Sequence, residues 1–385
     1  MSNVQSIVAW LEDGARSAPR ADEVLGELCG RLLECGMPLW RVAVFVRTLH
    51  PDIMGRAFFW QPGAQVRVEA ASYDLLETAE FRDSPVVAVY KIRQALRRHL
   101  DDPNCPDDFP MLRGLRDQGA TDYIAFPLFF TDGSIHVATW TTKQKGGFSS
   151  QEFSDLQSVI APLARVAEVR ALRRTAENLL ETYIGNQAGE RVMAGKIRRG
   201  DVEAIRAAIW LSDMRGFTTL SERLPPKELI DLLNRYFDAQ VPAILEGGGE
   251  VLKFMGDGLL AIFPIAGDGD VAAVCRRALT SALAARDRIA ELPRTENTEG
   301  TRFGLALHTG EVMYGNIGGG NRLDFTCIGP AVNLAARLEK VAAKLGATIV
   351  ASADFARHLP GELVHRGEFP VAGFAAPQTV YGFPQ

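Results

Sequence analysis

Residues 251–263, VLKFMGDGLLAIF, place the strongest constraint on the fold of this chain. An Asp-Gly pair flanked by apolar strand-forming residues favours a tight hairpin, so Asp257 and Gly258 predict two antiparallel strands. Lys253 and Asp257 stand inside this apolar run, where burial of an isolated charge costs free energy. Alternate strand residues share a face, so an internal ion pair is one explanation. A lysine that protects a strand edge and a functional site are the others.

The segments around this hairpin extend the pattern to a larger sheet. Residues 205–217 are typical of an apolar strand that ends at Asp213. Helices are predicted at 225–247 and 270–292; the first has prolines at its start and glycines after its end. Further strands are predicted at 302–318. This βαββαβ order predicts an α+β domain with a ferredoxin-like sheet and helices on one face.

Asp213 and Asp257 are the candidate metal ligands. Two carboxylates at the ends of neighbouring central strands can share a pair of divalent cations, which activate an attacking oxygen and neutralise a leaving phosphate. Hard oxygen ligands of this type suit Mg²⁺ or Mn²⁺. Gly216 and Gly256 would let phosphates approach the backbone closely.

The segment DFTCIGPAVNLAARLEKVAAKLG, residues 324–346, predicts a helix that opens at Gly329 and Pro330. Asn333 and Arg337 are four residues apart, so they share one face of this helix. A salt bridge or cap is one role for the arginine, and contact with a transferring phosphoryl group is the other.

Taken together, these segments resemble the catalytic domain of class III nucleotidyl cyclases over about residues 205–383. The motifs are SDMRGFT, LKFMGDG, HTGEVMYGNIG and FTCIGPAVNLAARLE, in the order and with the spacing of that family. The resemblance implies an adenylyl cyclase that converts ATP into 3′,5′-cyclic AMP and pyrophosphate, with two Mg²⁺ or Mn²⁺ ions per active site. It also implies a homodimer in which the aspartates come from one chain and the purine, ribose and transition-state residues from the other.

The resemblance gives each matching position a role. Asp213, Asp257 and the carbonyl of Met214 match the metal ligands, and Lys253 and Thr326 match the residues that read the purine. The other implied roles concern the sugar and the phosphates: ribose for Asn333, the transition state for Arg337, and the triphosphate for Gly216, Phe217 and Arg322.

The purine pair Lys253 and Thr326 favours ATP. In this family, adenylyl cyclases pair Lys with Asp or Thr, whereas guanylyl cyclases typically pair Glu with Cys; Cys327 is one position away from that cysteine. A lysine donates to the acceptor ring nitrogen of adenine, where guanine carries an N–H. Asn321 and Ala372 stand where many relatives carry triphosphate-binding basic residues. A guanylyl cyclase and a catalytically weak or dead nucleotide-binding dimerisation module are therefore the alternatives.

Residues 1–160 are predicted to form an α+β sensor domain that loosely resembles GAF domains and regulates the catalytic domain. Strand patterns bounded by turn residues occur at 42–49, 57–63, 123–130 and 134–142. A small-molecule ligand is one expectation for this domain, although no residue of the resemblance specifies its chemistry.

A helix is expected to begin after Ser149, because Ser149 and Glu152 match a capping box. Apolar residues then continue in heptad-like spacing with one three-residue offset. A parallel coiled coil between two chains and a helix packed on its own domain both explain this pattern. Residues 161–200 are assigned to this helical linker, and residues 201–385 to the catalytic domain.

The composition disfavours several other classes of protein. Formal net charge is −5, so bulk binding to nucleic acid or anionic membranes is not indicated. The five cysteines form no CxxC pair, which indicates neither a disulfide framework nor a zinc site. No apolar run approaches the roughly 20 residues that span a bilayer, and no secretory signal is visible. A cytoplasmic location is expected.

Overall fold

The computed structural model describes residues 3–267, 269–293, 302–320 and 322–383. The chain forms two units, Met1–Leu179 and Leu180–Gln385, each built around its own sheet. Among the described residues, no helix has both the length and the apolar character that crossing a membrane requires.

The first unit contains a six-stranded antiparallel sheet in the order β3-β2-β1-β6-β5-β4. Its strands are β1 (Arg41–Arg47), β2 (Ile53–Trp60), β3 (Arg67–Ser72), β4 (Leu96–His99), β5 (Asp122–Phe129) and β6 (Ile135–Thr142). Its helices are α1 (Asn3–Glu12), α2 (Ala21–Glu34), α3 (Ala79–Arg82), α4 (Pro85–Ile92), α5 (Pro110–Asp117) and α6 (Ser150–Ile184), with a 3₁₀ helix at Tyr73–Glu77. The predicted α+β class is confirmed, and the resemblance to GAF domains stays a prediction.

Two apolar cores cover the two faces of this sheet. Side chains of α1, α2 and α6 pack on the face that carries Val42, Val44 and Trp60. Side chains of α4 and α5 pack on the opposite face, which carries Tyr123 and Val137. Both faces are buried because successive strand residues point to opposite sides of the sheet.

Helix α6 begins at the predicted capping box. The Ser149 amide donates to Glu152 Oε2 at 2.6 Å, and the Glu152 amide donates to Ser149 Oγ at 3.2 Å. The helix then continues through Pro162 for 35 residues. Its early apolar positions are buried in the first unit: Leu156, Val159, Leu163 and Val166. Several later apolar positions are exposed in the single chain: Val169, Leu172 and Tyr183. The coiled coil stays a prediction.

The second unit contains an eight-stranded sheet in the order β13-β14-β12-β10-β7-β9-β8, with β11 paired to β10. Its strands are β7 (Val202–Arg215), β8 (Glu250–Met255), β9 (Gly258–Ile265), β10 (Arg302–Gly319), β11 (Arg322–Ile328), β12 (Ile349–Ser352), β13 (Val364–Phe369) and β14 (Gln378–Gly382). Its helices are α7 (Asn186–Met193), α8 (Phe217–Arg223), α9 (Pro226–Glu246), α10 (Val271–Ala290), α11 (Pro330–Leu345) and α12 (Ala353–Ala356).

The ferredoxin-like arrangement predicted for this unit is confirmed. The elements β7, α9, β8, β9, α10 and β10 follow one another along the chain, and their strands lie in the order β10-β7-β9-β8 with antiparallel neighbours. Side chains of α9 and α10, including Tyr236 and Ala278, pack on one sheet face around Trp210. The other face packs against residues of α7, α11 and β11.

The hairpin predicted at Asp257-Gly258 is confirmed, but its turn begins one residue earlier. Met255 pairs with Gly258, so the two turn residues are Gly256 and Asp257. Gly256 has a φ of +68° at the first turn position, where a tight hairpin favours glycine. Asp257 therefore lies at the tip of the hairpin, outside both strands.

Candidate active site

Asp213 and Asp257 lie next to each other at one edge of the second sheet. β7 and β9 run antiparallel with Ser212 opposite Leu259, so the end of β7 meets the turn that precedes β9. Burial and the adjacent carboxyl group of Asp257 raise the pKa of Asp213 to about 7. The Met214 amide donates to Asp213 Oδ1 at 3.1 Å. Two carboxyl groups thus share a partly buried space in which both cannot easily be ionised.

This pair fits a divalent cation. A cation between two carboxylates removes the repulsion that raises the pKa of Asp213, and carboxylate oxygens are ligands that Mg²⁺ and Mn²⁺ accept. The described residues contain no group of three or more His, Cys, Asp and Glu side chains that could hold a metal ion. Further ligands would therefore come from backbone oxygens, water or substrate. The carbonyl of Met214, a buried residue of β7 paired with Phe303, stays a predicted ligand.

A buried ion pair lies behind the aspartates, and the sequence did not predict it. Arg215 Nη1 lies 2.5 Å from Glu339 Oε1, and Arg215 Nη2 donates to the Glu339 carbonyl at 3.2 Å. The Glu339 side chain is 7% exposed. Its charge adds to burial and to Asp257 in raising the pKa of Asp213. The available signal was spacing, because Arg215 follows Asp213 by two residues and shares its face of the strand.

Asn333 and Arg337 lie on the exposed face of α11. Two residues separate Arg337 from Glu339, which corresponds to about 200° around a helix. Glu339 contacts Arg215 and acts on Asp213, so Arg337 points away from the aspartates of its own chain. One chain alone does not bring the implied transition-state arginine to the implied metal ligands.

Lys253 lies against β11. Burial raises the pKa of Cys327 to about 11, and the nearby charge of Lys253 opposes that rise. Thr326, the preceding residue, is 4% exposed, and its hydroxyl has no hydrogen-bond partner. The structure thus brings Lys253 to the part of β11 that carries the second implied purine residue.

The internal ion pair considered for the hairpin is absent. Among the parts of the chain that the structure describes, no ion pair joins Lys253 to Asp257. The physical reason is the position of Asp257 in the turn, where strand alternation no longer fixes the direction of its side chain.

The residues implied in triphosphate binding occupy separate places. Gly216 has a φ of +77° before α8, and Phe217, the first residue of α8, packs against the core of the second unit. Arg322 begins β11, is exposed and pairs with Gly319 at the tip of the β10–β11 hairpin. Asn321 lies outside the described residues, and Ala372 is exposed in a turn. These roles stay predictions.

Comparison with known proteins connects this unit to a family. Residues 203–383 match the family model described as the adenylate and guanylate cyclase catalytic domain. A terminal-differentiation-specific adenylate cyclase of Dictyostelium discoideum is 33% identical over 147 residues, which are 37% of this chain and 7% of that protein. An adenylate cyclase of Anabaena cylindrica is 32% identical over 168 residues, which are 42% of this chain and 32% of that protein.

Solved structures include the adenylyl cyclase CyaB from P. aeruginosa, 27% identical, with a TM-score of 0.41 over 48% of this chain and 96% of that chain. This chain therefore spans at most about a third of the two curated relatives named above. The resemblance to cyclase catalytic domains predicted from the four motifs is confirmed for residues 203–383.

Proposed function

We propose that this chain is an adenylyl cyclase, because its residues 203–383 match the cyclase catalytic-domain family and place two carboxylates side by side at one sheet edge. The proposed reaction converts ATP into 3′,5′-cyclic AMP and pyrophosphate. The observation that carries the proposal is the Asp213–Asp257 pair, since an oxygen-ligand site for divalent cations is what phosphoryl chemistry of this kind requires.

In the proposed reaction, the 3′-oxygen of ATP forms a bond to the α-phosphorus, the bond to the bridging oxygen of pyrophosphate breaks, and the hydroxyl proton passes to water. Two Mg²⁺ or Mn²⁺ ions, when bound to Asp213 and Asp257, would acidify the hydroxyl and neutralise phosphate charge. The aspartates hold this positive charge at the edge of the sheet. The buried Arg215–Glu339 pair fixes the end of β7 against α11.

Lys253 and Thr326 are proposed to bind the adenine. The unpartnered hydroxyl of Thr326 is able to donate to or accept from a base edge, and the ammonium of Lys253 donates to a ring nitrogen. Because a buried polar group without a partner is costly, a bound purine would stabilise this part of β11.

The direction of Arg337 supports a homodimer with shared active sites. Since Arg337 and Asn333 are exposed on the side of α11 opposite Glu339, they are free to contact nucleotide held by the aspartates of a second chain. A guanidinium placed there would stabilise charge that develops on the α-phosphoryl group. The first unit is proposed to regulate this activity.

Turnover of ATP and GTP by the full chain, measured with Mn²⁺ as formation of cyclic nucleotide, tests this function. We expect cyclic AMP from ATP, a clear preference over GTP, and loss of activity in Asp257→Asn. A preference for GTP would establish the guanylyl alternative. Absence of any cyclic product from the folded chain would favour the binding-module alternative and refute the proposal.

A further inference from the structure

The first unit contains a cavity of about 610 Å³ that none of the implied cyclase residues lines. It lies between α2, α6 and one face of the sheet. Val44 pairs with Phe58 and Val46 pairs with Arg56, so these four side chains share that face. This volume is in the range of pockets that hold small molecules.

Most of the cavity wall is apolar. Side chains from the sheet and from both helices contribute to it: Val24, Leu25, Val44, Phe58, Leu163 and Val166. A wall of this kind favours the apolar body of a ligand and gives little orientation by itself. Orientation has to come from the polar groups that line the same cavity.

Three of those polar groups lack a partner. Thr48 Oγ1, Arg56 Nε and Arg170 Nε are buried without a hydrogen bond. Among the described residues, Arg56 has no hydrogen-bond or ion-pair partner at all. Arg170 donates only to the backbone carbonyls of Ala18 at 3.0 Å and Gly14 at 3.5 Å. Buried donors left unpaired are costly, so this cluster is incomplete without an acceptor.

The acidic residues at the cavity do not supply that acceptor. Asp22 is bound by Arg20 at 3.0 Å, and Glu177 is bound by Arg173 at 3.2 Å. The guanidinium groups of Arg56 and Arg170 therefore face the cavity without a carboxylate of their own.

We propose that this cavity binds a small organic anion with an apolar body. Its head group accepts hydrogen bonds from Arg56, Arg170 and Thr48, and its body contacts the apolar wall. The shared chemistry of the head group is an oxyanion, either a carboxylate or a phosphate monoester. The site is independent of the proposed cyclase reaction, so binding is measurable whether or not the chain turns over ATP.

The full chain is titrated with anilinonaphthalene sulfonate, whose fluorescence rises on transfer from water to an apolar site. N-phenylnaphthylamine, which lacks the sulfonate, is the neutral counterpart. We expect one saturable site per chain. Arg56→Gln should weaken sulfonate binding by about tenfold, because a charge-assisted hydrogen bond is lost. Binding of the neutral probe should stay within about a factor of two, because the apolar wall is intact.

Arg116→Gln, an exposed arginine of α5 outside the cavity, is the matched control and should bind both probes like the wild type. Because Arg56 has no partner to lose, Arg56→Gln should not lower the melting temperature. Thr48→Val gives a second, independent variant, expected to weaken only the sulfonate by several-fold.

Displacement of the sulfonate by decanoate or by decyl phosphate distinguishes the two head groups, and either result supports the proposal. Three results would overturn it. They are no saturable sulfonate binding to the wild type, an equal loss for both probes in the folded Arg56→Gln variant, and displacement by neither oxyanion.

Discussion

The shared active site gives the sharpest prediction, because two inactive chains should restore each other. Asp257→Asn removes one proposed metal ligand, and Arg337→Ala removes the proposed transition-state arginine. Arg337 lies about 200° around α11 from Glu339, and Glu339 acts on Asp213 of the same chain. The two substitutions should therefore damage different sites of a mixed dimer and leave the other site intact.

The magnitude follows from counting sites. Random pairing of equal amounts makes about half of the dimers mixed, and each mixed dimer keeps one intact site of two, so about a quarter of wild-type activity should return. The assay is cyclic AMP formation with Mn²⁺ and ATP after the two chains are unfolded together and refolded. Arg337 is exposed, so its removal should change the free energy of unfolding by less than about 0.5 kcal/mol.

A matched pair from one side of the site provides the control. Asp213→Asn mixed with Asp257→Asn should restore nothing, because every dimer then lacks one aspartate in each site. Lys253→Ala mixed with Asp257→Ala should behave like the Arg337 mixture, since Lys253 is proposed to act across the dimer. Activity from the two-aspartate mixture would refute the reasoning, as would inactivity of the Arg337 mixture when mixed dimers are demonstrably present.

Three further predictions concern stability. Arg215→Met leaves Glu339 buried without its partner and should lower the free energy of unfolding in urea by about 3–5 kcal/mol; Arg215→Met with Glu339→Leu should recover part of that loss, and no recovery would argue against a charge effect. Burial lowers the pKa of His308 to about 4 from 6.5. The unfolded chain therefore gains the proton first as the pH falls, and stability should drop by about 3 kcal/mol between those values; a slope unchanged in His308→Gln would contradict this. A Cβ at Gly310 would lie 2.6 Å from the Ala331 Cβ, so Gly310→Ala should lower the melting temperature, and Ala331→Gly in the same chain should restore it.

Local pattern was sufficient for much of the second unit. The hairpin at 251–263 and the helices predicted at 225–247 and 270–292 agree with β8, β9, α9 and α10 to within a few residues. Each depends on neighbours in sequence, through turn chemistry and apolar periodicity. The sheet order followed because βαββαβ chains have few ways to bury both helices on one face.

Other elements carried weak local signals. Helix α8, Phe217–Arg223, is short, and its start depends on the left-handed conformation of Gly216. The C-terminal strands β13 and β14 contain few apolar alternations, and β14 is held by its pairing with β12. The turn residues of the hairpin were misplaced by one position, because Gly256 supplies the positive φ that the Asp-Gly pair was expected to supply.

The sequence by itself determined the periodic elements, the family resemblance of residues 203–383 and the identity of the candidate groups. Only the tertiary structure decided which of those groups meet. The pairing of Asp213 with Asp257, the Arg215–Glu339 ion pair and the outward direction of Arg337 all join residues distant in sequence. The unpartnered donors around Arg56 are of the same kind. Burial and electrostatic contact depend on what packs across a sheet or a helix, and periodicity along one element carries no information about that neighbour.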